Sequence, residues 1–138
     1  MNDQLCVGLD LGTINHKLAC LSTSSETANP KLLSEASRGR PVATAAALLA
    51  QLRPDVAPDT LVHLTCTGVQ ATALSPLLAG HFHQLNEVVA TASAIHRAQP
   101  HVRSAIDLGV QFTECIALNP KSCDPYACVS DAAINVLC

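Results

Sequence analysis

Val7-Gly8-Leu9-Asp10-Leu11-Gly12, running on to Lys17-Leu18-Ala19-Cys20-Leu21, returns in pattern near the other end of the chain. There Ser104-Ala105-Ile106-Asp107-Leu108-Gly109 runs on to Glu114-Cys115-Ile116-Ala117-Leu118. In both copies an apolar run ends in an acid and a glycine, a few polar residues follow, and a second apolar run begins. This pattern predicts strand, tight turn, strand. Two such hairpins predict a duplicated fold in which each half presents one carboxylate to a shared cleft.

Outward from the first hairpin, residues 5–11 and 17–23 are predicted as strands, and 22–30 as a polar, turn-rich loop. Residues 32–36 read as a third strand, antiparallel to the second. Pro41 suits a helix start, and the Ala- and Leu-rich stretch 43–52 is a strong helix former. Residues 60–65 read as a strand, with Cys66-Thr67-Gly68 as the turn after it. Residues 69–79 read as a helix that Ser75-Pro76 breaks or restarts, with Gly80 as its stop. A further helix is predicted over 85–98, closed by Pro100. The second hairpin follows as strands over 102–108 and 112–118. Residues 119–125 read as loop, and Asp131 as the cap of a short helix through 137.

This order predicts an α/β fold: a ribonuclease-H-like lobe with a mixed sheet, of the type found in actin, heat-shock and sugar-kinase proteins. The first lobe is expected over residues 1–101. Residues 102–138 are expected to hold the start of a second lobe, truncated after its first hairpin.

The bulk composition narrows the function classes. The chain has 138 residues, of which 49% are hydrophobic and 14% charged, as expected for a globular domain with a full core. Aromatic residues make up 2% and the net charge is -3, so neither base stacking nor a basic footprint for nucleic acid is present. No apolar run is long enough to span a membrane. Seven cysteines without a basic leader point to a reducing, cytoplasmic setting. Cys6, Cys20, Cys66 and Cys115 lie in apolar runs and read as buried small hydrophobes. His81 and His83 form a metal-like pair without a marked third ligand. Cys123, Cys128 and Cys138 have no spacing typical of zinc or of a ferredoxin cluster.

The chemistry is expected at the two hairpins. A glycine-bearing turn lets backbone N–H groups approach phosphate oxygens, and a nearby hydroxyl such as Thr13 adds a donor. An acid at a strand end can hold the water shell of magnesium. Asp10 with Gly12 and Thr13 is the first such element, and Asp107 with Gly109 is the second. Asp10 and Asp107 are the candidate catalytic residues and hold magnesium through water. Thr67-Gly68 has two readings, a third backbone wall of the cleft or an ordinary strand-to-helix turn with Thr67 as cap. Glu87 reads as a partner of its helix dipole or as a residue pointing into the cleft.

On these residues the chain resembles the BadF/BadG/BcrA/BcrD-type ATPases. These are the activators of 2-hydroxyacyl-CoA dehydratases and the ATP-binding subunits of benzoyl-CoA reductase. The resemblance covers about residues 5–137 and corresponds to the first half of a typical member. Gly8-Leu9-Asp10-Leu11-Gly12-Thr13 with Lys17 is similar to the first phosphate motif. Ile106-Asp107-Leu108-Gly109 with Gln111 is similar to the second. Thr67-Gly68 is similar to the start of the family's Thr-Gly-Tyr-Gly-Arg turn, and Glu87 and Ala92 to two positions of a later segment.

The resemblance implies ATP and magnesium as ligands, with Gly12, Thr13, Lys17, Thr67, Gly68, Gly109 and Gln111 binding the nucleotide. It also implies a dehydratase or reductase partner and pairing of two subunits. The chain departs from the family pattern at several points. Val69-Gln70-Ala71 follows Thr67-Gly68, so the family's second glycine and arginine are missing. Val110 replaces a glycine and Phe112 an acid of the second phosphate motif. The family's cluster cysteine falls, counted without gaps from Asp107, on Ala133. A [4Fe-4S] cluster held in the family's manner is therefore not expected in this chain.

Three functional expectations follow. The first is an activator-type ATPase domain. The second is a non-catalytic binding or regulatory relative. The third is a sugar-kinase or hydantoinase-type relative, which shares the first phosphate motif.

Overall fold

The computed structural model describes residues 4–23, 29–52, 56–57, 59–78, 81–119 and 129–136, with 130–136 as backbone. The chain divides into two compact units, Met1–Gln84 and Leu85–Cys138.

The first unit begins with the quoted hairpin. β1 (Gln4–Leu11) pairs antiparallel with β2 (Asn15–Ser22), Leu9 opposite Leu18 and Asp10 opposite Lys17. β2 pairs antiparallel with β3 (Lys31–Ala36). A turn through Arg38 and Gly39, both at positive φ, leads into α1 (Pro41–Ala50), whose first turn carries the proline. β4 (Leu61–Thr67) then returns parallel to β1 on its other edge, and the two-residue β5 (His83–Gln84) extends the sheet beyond β4. The order is β3-β2-β1-β4-β5, a mixed sheet of the ribonuclease-H type. A single 3-10 turn (Ala71–Leu74) and the short α2 (Ser75–Leu78) connect β4 to β5.

Period-two alternation decides the core. Val7, Leu9 and Leu11 of β1 point to the face on which α1 lies, as does Leu18 of β2. Ala45, Leu48 and Leu52 recur at helical spacing and meet them, with Cys66, Ala71 and Leu74 completing the cluster. Burial pushes the Cys66 thiol up to about 11.

His16 is fully buried on the same face, and neither ring nitrogen has a hydrogen-bond partner in the protein. An unpaired polar group in a core costs about 1–3 kcal/mol. His16→Leu is therefore expected to raise the stability of the first unit by about 1–2 kcal/mol, read as a higher urea midpoint. An unchanged or lower midpoint would show that the imidazole has a partner.

In the second unit, α3 (Glu87–Ala98) is capped by Asn86, whose side chain accepts from the Val88 N–H at 2.9 Å. Glu87 stands in the first turn of this helix. β6 (Ser104–Leu108), β7 (Phe112–Leu118) and β8 (Val129–Val136) form an antiparallel meander in that order. Val88 and Ala92 of α3 pack on Ile116 and Leu118 of β7.

Several expectations are corrected. Residues 129–136 form a strand, where a helix from Asp131 was expected. Their pairing with β7, Phe112 opposite Val136 and Glu114 opposite Ile134, satisfies a sheet edge and overrides a weak local helix preference. The second meander thereby repeats the first three strands of the chain. The helix expected over 69–79 is a 3-10 turn followed by one short helical turn, and the strand before it runs on through Thr67. Cys6 and Cys115 are exposed, because they alternate with the core residues Val7 and Ile116 and point to the other face. The Gly80 helix stop, most of the 119–125 loop, Cys123, Cys128 and Cys138 lie outside the described residues.

Candidate functional site

The first turn gathers most of the expected residues. Asp10 ends β1, with Lys17 opposite it on β2 and Thr67 opposite it on β4. All three side chains project to the sheet face away from α1. The Lys17 ammonium donates to Asp10 Oδ2 at 3.1 Å. Asp10 Oδ1 is buried and has no hydrogen-bond partner, and the same holds for Thr67 Oγ1. These two orphaned oxygens lie on neighbouring strands.

Glycines bring backbone close to these oxygens. Gly68 has φ +91°, and a Cβ built on it would lie 2.7 Å from backbone atoms of Leu11 and 2.8 Å from Asp10 Oδ1. The turn after β4 is thus pressed against the end of β1, and the Gln70 N–H donates to the Leu11 carbonyl at 3.0 Å. Thr67 does not cap a helix, since its hydroxyl is unpartnered and the 3-10 turn begins only at Ala71. Gly12 and Thr13, both half-buried, form the tight turn between β1 and β2.

Sequence reasoning missed one feature here. Gln70 accepts from the Ser37 hydroxyl at 3.1 Å, tying the turn after β4 to the residue that follows β3. Nothing local to Gln70 marks a partner 33 residues away.

The second turn has the same backbone plan and a different charge. Gly109 N–H donates to the Phe112 carbonyl at 2.9 Å, closing the β6–β7 turn. Asp107 is half-buried, and Gly109 and Gln111 are exposed. Opposite Asp107, where Lys17 faces Asp10, stands Glu114. Glu114 is 7% exposed and its Oε2 has no partner. Burial, and secondarily the neighbouring Asp107, push its carboxyl above the usual carboxylate range.

The other side of the β6–β7 ladder carries exposed apolar side chains. Ile106 and Leu108 are 67% and 78% exposed, whereas Leu9 and Leu11 at the matching places beside Asp10 are 1% and 0% exposed. In the first unit that face lies under α1. Among the described residues of the second unit no helix covers it.

His81 and His83 are both exposed, and no group of three or more His, Cys, Asp or Glu able to hold a metal occurs among the described residues. Ala133 lies within β8, opposite Cys115. No described helix is long and apolar enough to cross a membrane.

No protein-family profile and no curated protein matches the chain. Solved structures do. Component A of (R)-2-hydroxyglutaryl-CoA dehydratase from Acidaminococcus fermentans is similar at a TM-score of 0.72 and 20% identity, over 100% of this chain and 49% of that one. The activator of 2-hydroxyisocaproyl-CoA dehydratase from Clostridium difficile, solved with bound ADPNP, is similar at 0.71 and 19% identity, over 97% and 46%. An exopolyphosphatase from Cytophaga hutchinsonii is similar at 0.55 and 17% identity, over 97% and 51%. The chain spans about half the length of these solved relatives. Its fold is the ribonuclease-H-like, actin-type fold of the dehydratase activators.

Proposed function

We propose that the chain is an activator-type ATPase domain that binds ATP with magnesium. The first turn supplies Asp10, Gly12, Thr13, Lys17, Thr67 and Gly68, and the second supplies Asp107, Gly109 and Gln111. The carrying observation is the first turn itself: an ammonium, two orphaned buried oxygens and two close-packed glycines at the end of β1. The likeness to an activator solved with ADPNP supports this reading.

Lys17 provides the cation for a polyphosphate, and the backbone at Gly12 and Gly68 provides donors unobstructed by a side chain. Thr13 and Thr67 add hydroxyl donors. Asp10 would hold the water shell of magnesium. Magnesium, when bound, neutralises phosphate charge, and the protein's part in such chemistry is mostly positioning. The test is calorimetry with ATP and ADP, with and without magnesium. Binding that strengthens with magnesium and weakens about tenfold or more in Lys17→Ala is expected. No binding at millimolar nucleotide would end this reading.

A second reading is favoured by the second turn: a non-catalytic partner of a dehydratase, a reductase or another copy of this chain. Glu114 in place of a lysine removes a phosphate-binding cation there, and the bare Ile106–Leu108 face offers an apolar surface to another polypeptide. Full burial of each of these side chains is worth about 1.5–3 kcal/mol. Nucleotide-independent association with such a partner distinguishes this reading from the first.

A further inference from the structure

We propose that Asp107 and Glu114 form a divalent-cation site within the second unit, one that needs no nucleotide. The argument starts from the internal repeat. Asp10 and Asp107 occupy matching places in hairpins of the same register, seven residues before their cross-strand partners Lys17 and Glu114. In the first hairpin the partner is an ammonium, and the pair closes at 3.1 Å. In the second the partner is another carboxylate. Directly opposed residues of an antiparallel pair have Cβ atoms about 4.5–5.5 Å apart, so both side chains start from neighbouring points on the same face.

Two like charges there are unfavourable by themselves. Glu114 is more than nine-tenths buried, and one of its oxygens has no partner. An exposed acidic pair would relax into water, but Glu114 is buried on the face of β7 where α3 packs. A cation between the two carboxylates satisfies the orphaned oxygen and replaces the charge that Lys17 supplies in the first hairpin. Magnesium and manganese are apt, since these hard cations favour carboxylate and water oxygens.

β6, β8 and α3 surround the pair. β6 contributes Asp107 itself, and β8 places Ile134 opposite Glu114. α3 turns Val88 and Ala92 toward this core, and its charged residues are Glu87 in the first turn and His96 and Arg97 in the last.

The test measures Mn²⁺ uptake by the full chain, without nucleotide, from the loss of the free-ion electron paramagnetic resonance signal at pH 8. About one Mn²⁺ per chain at millimolar or tighter affinity is expected, with at least about tenfold weakening in Glu114→Gln. Thermal unfolding supplies the second readout. Mg²⁺ is expected to raise the melting temperature of the wild type at pH 8. Glu114→Lys, which rebuilds the charge pair of the first hairpin, is expected to show no such rise. Absence of uptake at pH 8, as when the pair merely shares a proton, overturns the proposal. Uptake that survives both substitutions also overturns it. Because nucleotide is absent throughout, failure here leaves the ATP titration to be decided by itself.

Discussion

Gly68→Ala is expected to destabilise the first unit by about 3 kcal/mol, whereas Gly8→Ala is expected to leave it unchanged or up to about 1 kcal/mol more stable. Both glycines belong to the same two central strands or the turn directly after them, so a general cost of adding a methyl group is not at issue. At Gly68 the backbone sits at φ +91°, a conformation that L side chains avoid. The added Cβ would also fall 2.7 Å from the Leu11 N and C atoms. Those are backbone atoms of the central strand, so no side-chain rotation relieves the overlap. At Gly8 nothing lies within 4 Å of a built Cβ and φ is ordinary for a strand. Alanine there only restricts the unfolded chain. Urea unfolding followed by circular dichroism checks both. A Gly68→Ala midpoint equal to that of the wild type would mean that the turn after β4 does not press on β1 as described.

Asp10→Ala is expected to separate binding from stability. The Asp10–Lys17 pair is largely open to water, with side chains 31% and 64% exposed, so its loss costs at most about 1 kcal/mol. Removal of the orphaned, buried Oδ1 offsets part of that cost. Nucleotide affinity in magnesium is expected to fall on the order of 10–100-fold, the scale of a lost charge-assisted interaction. In chelator, where magnesium is absent, the difference between variant and wild type is expected to shrink. Calorimetry gives the affinities and a thermal melt gives the stability. Unchanged affinity in magnesium would remove Asp10 from the site. A collapse of the melting temperature would mean that the aspartate serves the fold first.

The two readings of Thr67-Gly68 show how a local pattern can leave a choice that packing settles. As sequence, a threonine before a glycine at the end of a strand suits a helix cap as well as a cleft wall. In the structure the next helical turn begins too late for Thr67 to cap it, and the hydroxyl is left beside Asp10. The glycine is required by contact with Leu11, a residue 57 positions earlier, which no window of neighbouring residues contains. Gln70 and Ser37 are a second case of the same kind.

What the sequence by itself determined were the two hairpins, their acids and glycines, and the helix starting at Pro41. Those features depend on period, turn chemistry and capping, all properties of residues close along the chain. Only the tertiary structure decided that residues 129–136 are a strand, that Cys6 and Cys115 face outward, and that Glu114 stands opposite Asp107 in the place of a lysine. Each of these depends on which distant segment lies alongside. Strand pairing and the layer that covers a sheet are set by long-range burial, and a one-dimensional pattern does not carry that information.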